Sequence, residues 1–370
     1  MVRSPAMLIF LIILVAFFQA ASGGLFLSPI NVTNLVFQGA YLIVLAPAML
    51  MVMVTGRLDL SVGGIVAFTG AVLAVLLHQG QVPIILAVFA VLALGAVIGA
   101  LHGYLIAYLH IPMFITTLSG MMIWRGLTMV ILKGETRAPL NSHLTATVSG
   151  FVSPGVFVAL AAATAGAALW MSWSRDPIRA HHRLSGDSGA VMIRVVRFMG
   201  IGVAISTIAL LNAYRGVPVL ALIVTLPAVA TTFLLERTMF GRHLYAFGAA
   251  PGTARLSGVR TRPVLLLVYL NNGLMAALAG LIVAGRLNAV TPKAGNLFEL
   301  EAITACLIGG ASMVGGVGRI GPVLLGAITI GVLNNGLSLA GIGGEGLIKA
   351  GILLAAGYLD TLSERSRLVA

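Results

Sequence analysis

The sequence predicts an all-α, polytopic integral membrane protein in which residues 1–370 form a single transmembrane domain. Hydrophobic residues make up 59% of the chain and charged residues only 9%, whereas soluble domains carry about a quarter charged residues. Apolar runs continue from one end to the other, and at about 20 residues per spanning helix the chain has room for about 10–12 crossings. Glycine interrupts several runs, so broken or re-entrant segments are expected among the helices.

The apolar runs differ in what their lengths allow. The first follows a basic start, which fits either a secretory signal peptide or an uncleaved helix; we favour the helix because later crossings need a start of defined orientation. The run 83–109 is long enough to span with a tilt, while 301–318 and 345–360 are short and glycine-rich and suit half-helices or re-entrant segments. The runs are 5–21, 34–55, 60–78, 83–109, 113–133, 151–173, 195–214, 217–235, 263–286, 301–318, 320–340 and 345–360.

The formal charge of +12 indicates topology and not a nucleic-acid partner. A nucleic-acid surface needs basic residues on one solvated face, whereas here they are confined to short loops. Arginine accumulates in cytoplasmic loops, so the arginine-rich loops at about 173–197 and 236–263 are both expected in the cytoplasm. Two crossings separate them, and the same parity places both chain termini in the cytoplasm. The loops at 132–150 and 286–301 then lie outside, either as docking sites for an extracytoplasmic partner or as ordinary connections.

No enzyme signature is present in the sequence. The chain lacks the phosphate-cradling pattern G-x-x-x-x-G-K-[ST], so ATP hydrolysis is not expected on this chain. Gly316, Gly318 and Gly321 spell the dinucleotide pattern G-x-G-x-x-G, but neither a strand nor a βαβ unit flanks them. Cys306 is the only cysteine, which excludes an intramolecular disulfide and a cysteine-based metal cluster. We therefore expect no catalytic residue, no metal site and no cofactor bound by this chain.

The stretch "MVTGRLDLSVGG" places Arg57 and Asp59 between two apolar runs. A charge at the bilayer centre costs about 2.5–3.5 kcal/mol on insertion scales, and side chains at i and i+2 do not face each other on a helix. A helix break is therefore predicted, in which Asp59 or Ser61 accepts hydrogen bonds from the free N–H groups of the next helix. Arg57 then reaches outward to the interface. The alternative role for this polar pair is contact with a passing polar solute.

Glycine-interrupted segments in the two halves of a transporter point to its translocation path. The early break has a late counterpart in "GGASMVGGVG". Further candidates are mildly polar residues within apolar runs, which either touch the hydroxyl groups of a solute or bond neighbouring helices. The candidates for the path or the helix break are Asp59, Ser61, Thr116, Thr117, Asn271, Gly309, Gly310, Ser312, Gly315 and Gly316.

Three motifs follow one another along the chain: "GRLDLSVGG" at 56–64, "FGRHLYAFGAAPGTARLSGV" at 240–259 and "CLIGGASMVGGVG" at 306–318. They resemble motifs of the permease subunits of bacterial ABC importers of the ribose and xylose class, over about residues 28–360. The segments "LNAYRGVPV" and "AGNLFELEAITACLIGG" are most similar to the xylose-type permeases. This resemblance implies a homodimer in the bacterial cytoplasmic (inner) membrane, a cytoplasmic ABC ATPase subunit that supplies ATP and magnesium chemistry, and an extracytoplasmic sugar-binding protein.

The resemblance also implies an ATPase-coupling segment within 236–263, with a short coupling helix at about 249–256. The residues that match the family pattern for coupling are Gly241, Arg242, Ala254, Arg255, Leu256, Ser257 and Gly258. Departures from the pattern are Arg57 in place of Gly or Glu, Ala249 and Ala250 within the Gly-Gly-Asn position, Glu301 in place of Asp, Arg319 and Pro322 in the late glycine run, and a shortened "GGEGLIKAG".

The predicted function is therefore the import of a monosaccharide, xylose or a related pentose, without covalent chemistry on this chain. One alternative is another solute on the same scaffold, such as a nucleoside or a signalling sugar. A second is a stand-alone secondary carrier, which would not need a coupling segment. A membrane-embedded transferase would need clustered carboxylates or histidines, and none cluster in this sequence. Besides the protein partners and the transported solute, membrane lipid is expected to contact the chain, and nucleic acid is not.

Overall fold

The structure is a computed structural model that describes residues 3–78, 80–140, 142–152, 155, 207 and 210–369. Within these ranges the regular secondary structure is α-helical, apart from one two-stranded sheet and an isolated β-bridge between Arg137 and Val290. The prediction of an all-α polytopic fold is confirmed. The predicted crossings at 151–173 and 195–214 lie almost entirely outside the described residues, and the basic loop at 173–197 lies wholly outside them.

Six helices precede the sheet. The second of them begins in the way that its sequence favours, because the Ser28 hydroxyl accepts a hydrogen bond from the amide of Asn31 and Pro29 occupies the first helical position. Prolines also precede the fourth and fifth helices. The helices are α1 Arg3–Ala21, α2 Pro29–Val54, α3 Val62–His78, α4 Ile84–Ala107, α5 Met113–Leu132 and α6 Ser142–Val148.

The sheet joins two short strands, β1 Phe151–Val152 and β2 Val217–Pro218, which pair antiparallel. Seven helices follow β2. Two of these are short and belong to the predicted coupling segment. They are α7 Val219–Arg237, α8 Met239–Ala249, α9 Pro251–Leu256, α10 Thr261–Leu287, α11 Phe298–Ile308, α12 Ile320–Leu339 and α13 Glu345–Val369.

Six of the described helices are long and apolar enough to cross a membrane, with mean hydropathy between 1.4 and 2.9. They are α2, α4, α5, α7, α10 and α12. The part of α1 from Met7 onward and α3 are shorter apolar helices. These lengths and compositions are those of a multi-pass membrane protein.

The two glycine-rich runs near the C-terminus, 301–318 and 345–360, form different structures. In the run 301–318, α11 has 11 residues and a length of about 16 Å, which is half of the hydrocarbon thickness; a loop follows it up to Arg319. The expected half-helix is therefore present there. The run 345–360, in contrast, is neither short nor broken, because α13 continues for 25 residues.

The helices form an inner and an outer group. About two thirds of the apolar windows of α2 and α12 are buried, but only 28% of those of α4 and α5. The outer helices expose large apolar side chains such as Phe89, Val97, Met122 and Val130. Such a surface would be costly in water and is the expected one against lipid.

The inner helix α10 packs against α4 through glycine. Gly95, Gly99 and Gly103 recur every four residues and form one ridge of α4. A Cβ atom at Gly99 would lie 2.2 Å from the carbonyl oxygen of Tyr269, and one at Gly273 would lie 2.2 Å from that of Gly95. The two backbones are therefore in contact, as in other membrane helix pairs with small residues at the interface.

This contact predicts a strong effect of Gly99→Leu. The leucine side chain has no space between the two backbones, so we expect the variant to lose about 1–3 kcal/mol of stability. The measurement is the thermal unfolding midpoint of the detergent-solubilised protein. The matched control is Gly126→Leu, because a Cβ atom there meets nothing within 4 Å. Equal midpoints for the two variants would contradict the packing of α4 on α10.

Candidate functional site

The loop between α2 and α3 contains the polar residues of the first motif. Asp59 is only 1% exposed. Its Oδ1 accepts hydrogen bonds from the Ser61 amide at 2.9 Å and the Ser61 hydroxyl at 2.5 Å. Ser61 directly precedes the first residue of α3. The carboxyl group thus satisfies a backbone donor at the start of a buried helix, which lipid cannot do.

A chain of hydrogen bonds connects this loop to three helices. The Asn272 amide on α10 donates to Asp59 Oδ2 at 2.8 Å. On the other side, Ser61 Oγ lies 3.2 Å from Nδ1 of His102 on α4, and the Trp124 indole on α5 donates to His102 Nε2 at 3.3 Å. We call Asp59, Ser61, His102, Trp124 and Asn272 the buried polar network.

The directions of these bonds are determined by the donor at one end. The Trp124 indole can only donate, so His102 Nε2 must be the acceptor and Nδ1 carries the proton. His102 then donates to Ser61 Oγ, which leaves the Ser61 hydroxyl hydrogen for Asp59. Both nitrogens of the neutral His102 ring therefore have a hydrogen-bond partner. The Asp59 carboxylate, at the end of the chain of hydrogen bonds, acts only as an acceptor.

The other predicted polar residues lie close to this network. The half-buried Asn271 contacts the sulfur of Met51 at 3.4 Å. Thr116 and Thr117 are buried in the first turn of α5, and their hydroxyl oxygens have no partner within the described part of the chain. One turn later on the same face, a Cβ atom at Gly120 would approach the His102 ring within 2.6 Å and the Ser61 side chain within 3.4 Å.

Sequence reasoning missed three members of the network: His102, Trp124 and Asn272. A signal for two of them existed, because a histidine and an asparagine inside apolar spans are expensive and usually functional. The choice between Asn271 and Asn272 could not be made from the sequence, since it depends on the rotation of α10.

The three motifs meet at the end of α2. The Gly316 amide donates to the Val54 carbonyl at 2.8 Å. A Cβ atom at Gly248 would lie 1.7 Å from the same oxygen, and one at Gly315 would lie 2.7 Å from the Gly56 amide. We call Val54, Gly56, Gly248, Gly315 and Gly316 the glycine junction. It joins the helix break, the coupling segment and the late glycine run by direct backbone contact.

The rest of the late glycine run is held by its neighbours. Gly309 packs against Val323 of α12, and Gly310 has a positive φ of 79°. The Asp360 carboxyl group on α13 accepts from the Met313 amide at 3.0 Å and from the Ser312 hydroxyl at 3.5 Å. Asp360, which sequence reasoning also missed, therefore connects the C-terminal helix to this loop.

Helices α8 and α9 form the predicted coupling segment. Thr238 caps α8 by accepting from the Gly241 amide at 3.4 Å, while the exposed Arg242 contacts the Met239 sulfur. The predicted helix at 249–256 is two residues too long, because Ala250 has a non-helical backbone and Pro251 starts the helix.

The faces of α9 differ sharply in exposure. Ala254 is buried in a small cluster with Phe247, Ala107 and Leu265, whereas Leu256 is 92% exposed. Arg255 and Ser257 are also exposed, and Gly258 provides the turn after the helix with φ of 83°.

Arg57 lies half-buried on the coupling segment, with its guanidinium carbon 5.4 Å from the centre of the Phe247 ring. The sequence did not predict this contact. Arg57 also donates to the Thr55 carbonyl at 3.3 Å. The departure from the family pattern thus adds a contact between the break and α8.

Comparison with known proteins identifies the family. A family model described as "Branched-chain amino acid transport system / permease component" matches residues 31–357. The chain belongs to this permease family. The permease is 35% identical over 363 residues to the xylose transport system permease protein of Haemophilus influenzae, covering 97% of this chain and 96% of the relative.

Two further relatives agree with this assignment. The permease is 35% identical over 357 residues to the xylose transport system permease protein of Escherichia coli K12, covering 96% and 91% of the two chains. It is 33% identical over 355 residues to the ribose import permease protein of the same organism, covering 95% and 92%. No solved structure matches it at a significant level.

These matches confirm the predicted class. At the level of the family, the permease is a subunit of an ABC sugar importer, with xylose-type permeases among its similar relatives. It is not an enzyme, because ATP hydrolysis in these transporters lies on a separate subunit.

The buried polar network predicts different effects for two adjacent asparagines. Asn272→Ala removes a donor from the buried Asp59 carboxyl group and should cost about 1–3 kcal/mol of stability. Asn271→Ala removes only a weak contact with a sulfur atom and should cost much less. The unfolding midpoints of the two purified variants in detergent check this. Similar losses in both would mean that the bond to Asp59 contributes nothing specific.

Proposed function

We propose that the permease carries a monosaccharide, with xylose or a related pentose as the substrate, as the homodimeric membrane part of an ATP-driven importer. The observation that carries this proposal is similarity to xylose and ribose permeases over nearly the whole of both chains. The packing of the coupling segment onto the helix break is what such a mechanism requires.

The proposed motion begins at α9. The exposed Leu256 presents a surface to the ATPase, and the buried Ala254 holds α9 on the permease. A displacement of this segment reaches Val54 and Gly56 through the glycine junction, because backbones in direct contact cannot slide independently. Two discrete helix arrangements, inward-open and outward-open, are then exchanged as the ATPase closes and opens.

The proposed path passes the buried polar network. Thr116 and Thr117 have unpaired hydroxyl oxygens, and Asn272 has an unpaired Oδ1 within the described part of the chain. A buried polar atom without a partner costs free energy, and the hydroxyl groups of a sugar can supply the missing hydrogen bonds. The other members of the network are paired with one another, so they would orient these groups and not bind the sugar directly.

The remaining assignments concern orientation and partners. The coupling segment and both termini would lie in the cytoplasm, in agreement with the excess of lysine and arginine in such loops. The loops at 132–150 and 286–301 would then face a sugar-binding protein outside.

Uptake by reconstituted transporter tests the function. The permease is placed in vesicles with a candidate ATPase subunit and a candidate binding protein, and uptake of labelled xylose, ribose, a nucleoside and a signalling sugar is compared. We expect ATP-dependent uptake of a pentose. Uptake that persists without the ATPase would indicate a secondary carrier, and uptake of the nucleoside or the signalling sugar alone would reject the pentose assignment.

Gly248→Ala tests the junction. The added Cβ atom would overlap with the Val54 carbonyl, so the coupling segment must move away from α2. We expect ATP hydrolysis to continue while uptake falls about 5- to 150-fold, the range of typical coupling free energies. The control is Gly252→Ala, where a Cβ atom meets nothing within 4 Å. Full transport by Gly248→Ala would disprove transmission through this contact.

Single-cysteine labelling tests the orientation. The native Cys306 is fully buried, so Ser257→Cys provides an accessible thiol on the coupling segment. An impermeant thiol reagent should label it in inside-out vesicles and not in intact spheroplasts. Lys293→Cys, in an exposed position of the opposite loop, should give the reverse pattern. Labelling of Ser257→Cys in intact spheroplasts would mean that the coupling segment lies outside the cell, opposite to the proposed orientation.

A further inference from the structure

A cavity of about 450 Å³ lies beside the coupling segment, away from the buried polar network. It is bounded by the helix break, the end of α4, α9 and the start of α10. Its volume is within the range of small-molecule sites, about 300–1,000 Å³. The lining residues that define its chemistry are Arg57, Arg255, Arg260, Arg262, Tyr108 and His110.

The cavity is strongly positive. Within the part of the chain that the structure describes, the ion pairs join Arg125 to Glu299 and Lys349 to Glu301, and neither pair includes an arginine of the cavity. Four guanidinium groups from three different segments therefore share one space without a carboxylate.

Burial lowers the pKa of the Arg57 guanidinium; Tyr269 opposes this shift, and the nearby positive charge of Arg255 adds to it, so the charges at this site disfavour one another. In addition, α10 starts at the cavity and its first turn has no side-chain cap from Arg260, so its free N–H groups favour an anion. An anionic group would compensate all of these charges at once.

Exposed apolar and aromatic side chains of α4 and α10 adjoin the cavity. Tyr108 shares a face of α4 with Tyr104 and Leu101, which are 47% and 46% exposed. Pro263 of the cavity similarly precedes Leu267 by one turn of α10, and Leu267 is 45% exposed. Both faces lead from the cavity along spanning helices, so an apolar chain attached to the anion can lie against them.

The aromatic residues support a position at the membrane surface. Tyr104 and Tyr108 stack with their ring centres 5.3 Å apart, and the Arg262 guanidinium lies 5.9 Å from the centre of the Tyr108 ring. Tyrosine and arginine are typical at the level of lipid headgroups. Basic pockets between spanning helices bind anionic lipid headgroups.

The geometry points to a binding site for the phosphate headgroup of an anionic phospholipid. The arginines hold the phosphate, and the acyl chains lie on the exposed faces of α4 and α10. Because Arg255 belongs to the coupling helix and Arg57 to the helix break, the bound lipid bridges these two segments. An acidic segment of a partner protein would satisfy the charge but would leave the adjoining apolar faces unused.

Native mass spectrometry of the full chain tests this inference. Detergent-solubilised protein is titrated with phosphatidylglycerol and, separately, with phosphatidylethanolamine of the same acyl chains. Arg260→Gln/Arg262→Gln should weaken binding of phosphatidylglycerol about 30-fold, given the usual contribution of a basic residue at an anionic surface. Arg237→Gln/Arg242→Gln removes the same charge from the same loop but outside the cavity, and it should leave the affinity unchanged. Arg260→Lys/Arg262→Lys keeps the charge and should retain most of the binding, which controls for misfolding.

Several outcomes would overturn the inference. One is equal affinity for phosphatidylethanolamine, and another is equal loss in the two glutamine double variants. Displacement of the lipid by equimolar inorganic phosphate would mean that the site recognises a free anion. Displacement by the ATPase subunit would assign the arginines to protein docking. Retention of phosphatidylglycerol in the presence of both competitors supports the lipid site.

Discussion

At the end of α2, the carbonyl oxygen of Val54 meets two other segments of the chain. It accepts a hydrogen bond from Gly316 at 2.8 Å, and Gly248 approaches it so closely that a Cβ atom would lie at 1.7 Å. The last carbonyl groups of a helix have no partner within the helix, and in a membrane they need one from elsewhere in the protein. The late glycine run provides it, and only residues without a side chain allow the approach.

The start of α3 has free N–H groups that need acceptors, and a side chain provides one. Asp59 accepts from the Ser61 amide, and the network around it provides donors for both of its oxygens. A helix can therefore be interrupted inside the protein at little cost, because each broken end finds a partner. The interruption places non-helical backbone next to the coupling segment. A small displacement of the coupling segment can therefore move the end of α2 without disrupting a helix.

The sequence predicted the membrane class, a break between the runs 34–55 and 60–78, and the short α11, because apolar composition and glycine runs are local signals. It did not predict which distant residues would meet. The partner of Asp59 is Asn272 and not Asn271, a difference set by the rotation of α10 against α4. The contact of Arg57 with Phe247 could not be read from local sequence either. Asp360 was missed because its role depends on α13 folding back to the late glycine run.

A second contact of several helices lies at Glu301, near the start of α11. Lys349 donates to Glu301 at 2.9 Å, and Asn334 of α12 donates to the same oxygen at 3.2 Å. Tyr41 of α2 donates to the other oxygen. The Glu301 carboxyl group is thus paired with donors from α2, α12 and α13.

The effect of this second contact is to connect four helices at the end of α11 that lies away from the glycine junction. α13 is then attached at two levels, through Lys349 to Glu301 and through Asp360 to the loop after α11. Because these contacts hold α11 and the loop after it at both levels, we expect a displacement at the junction to shift α11, α12 and α13 together more than it bends the loop.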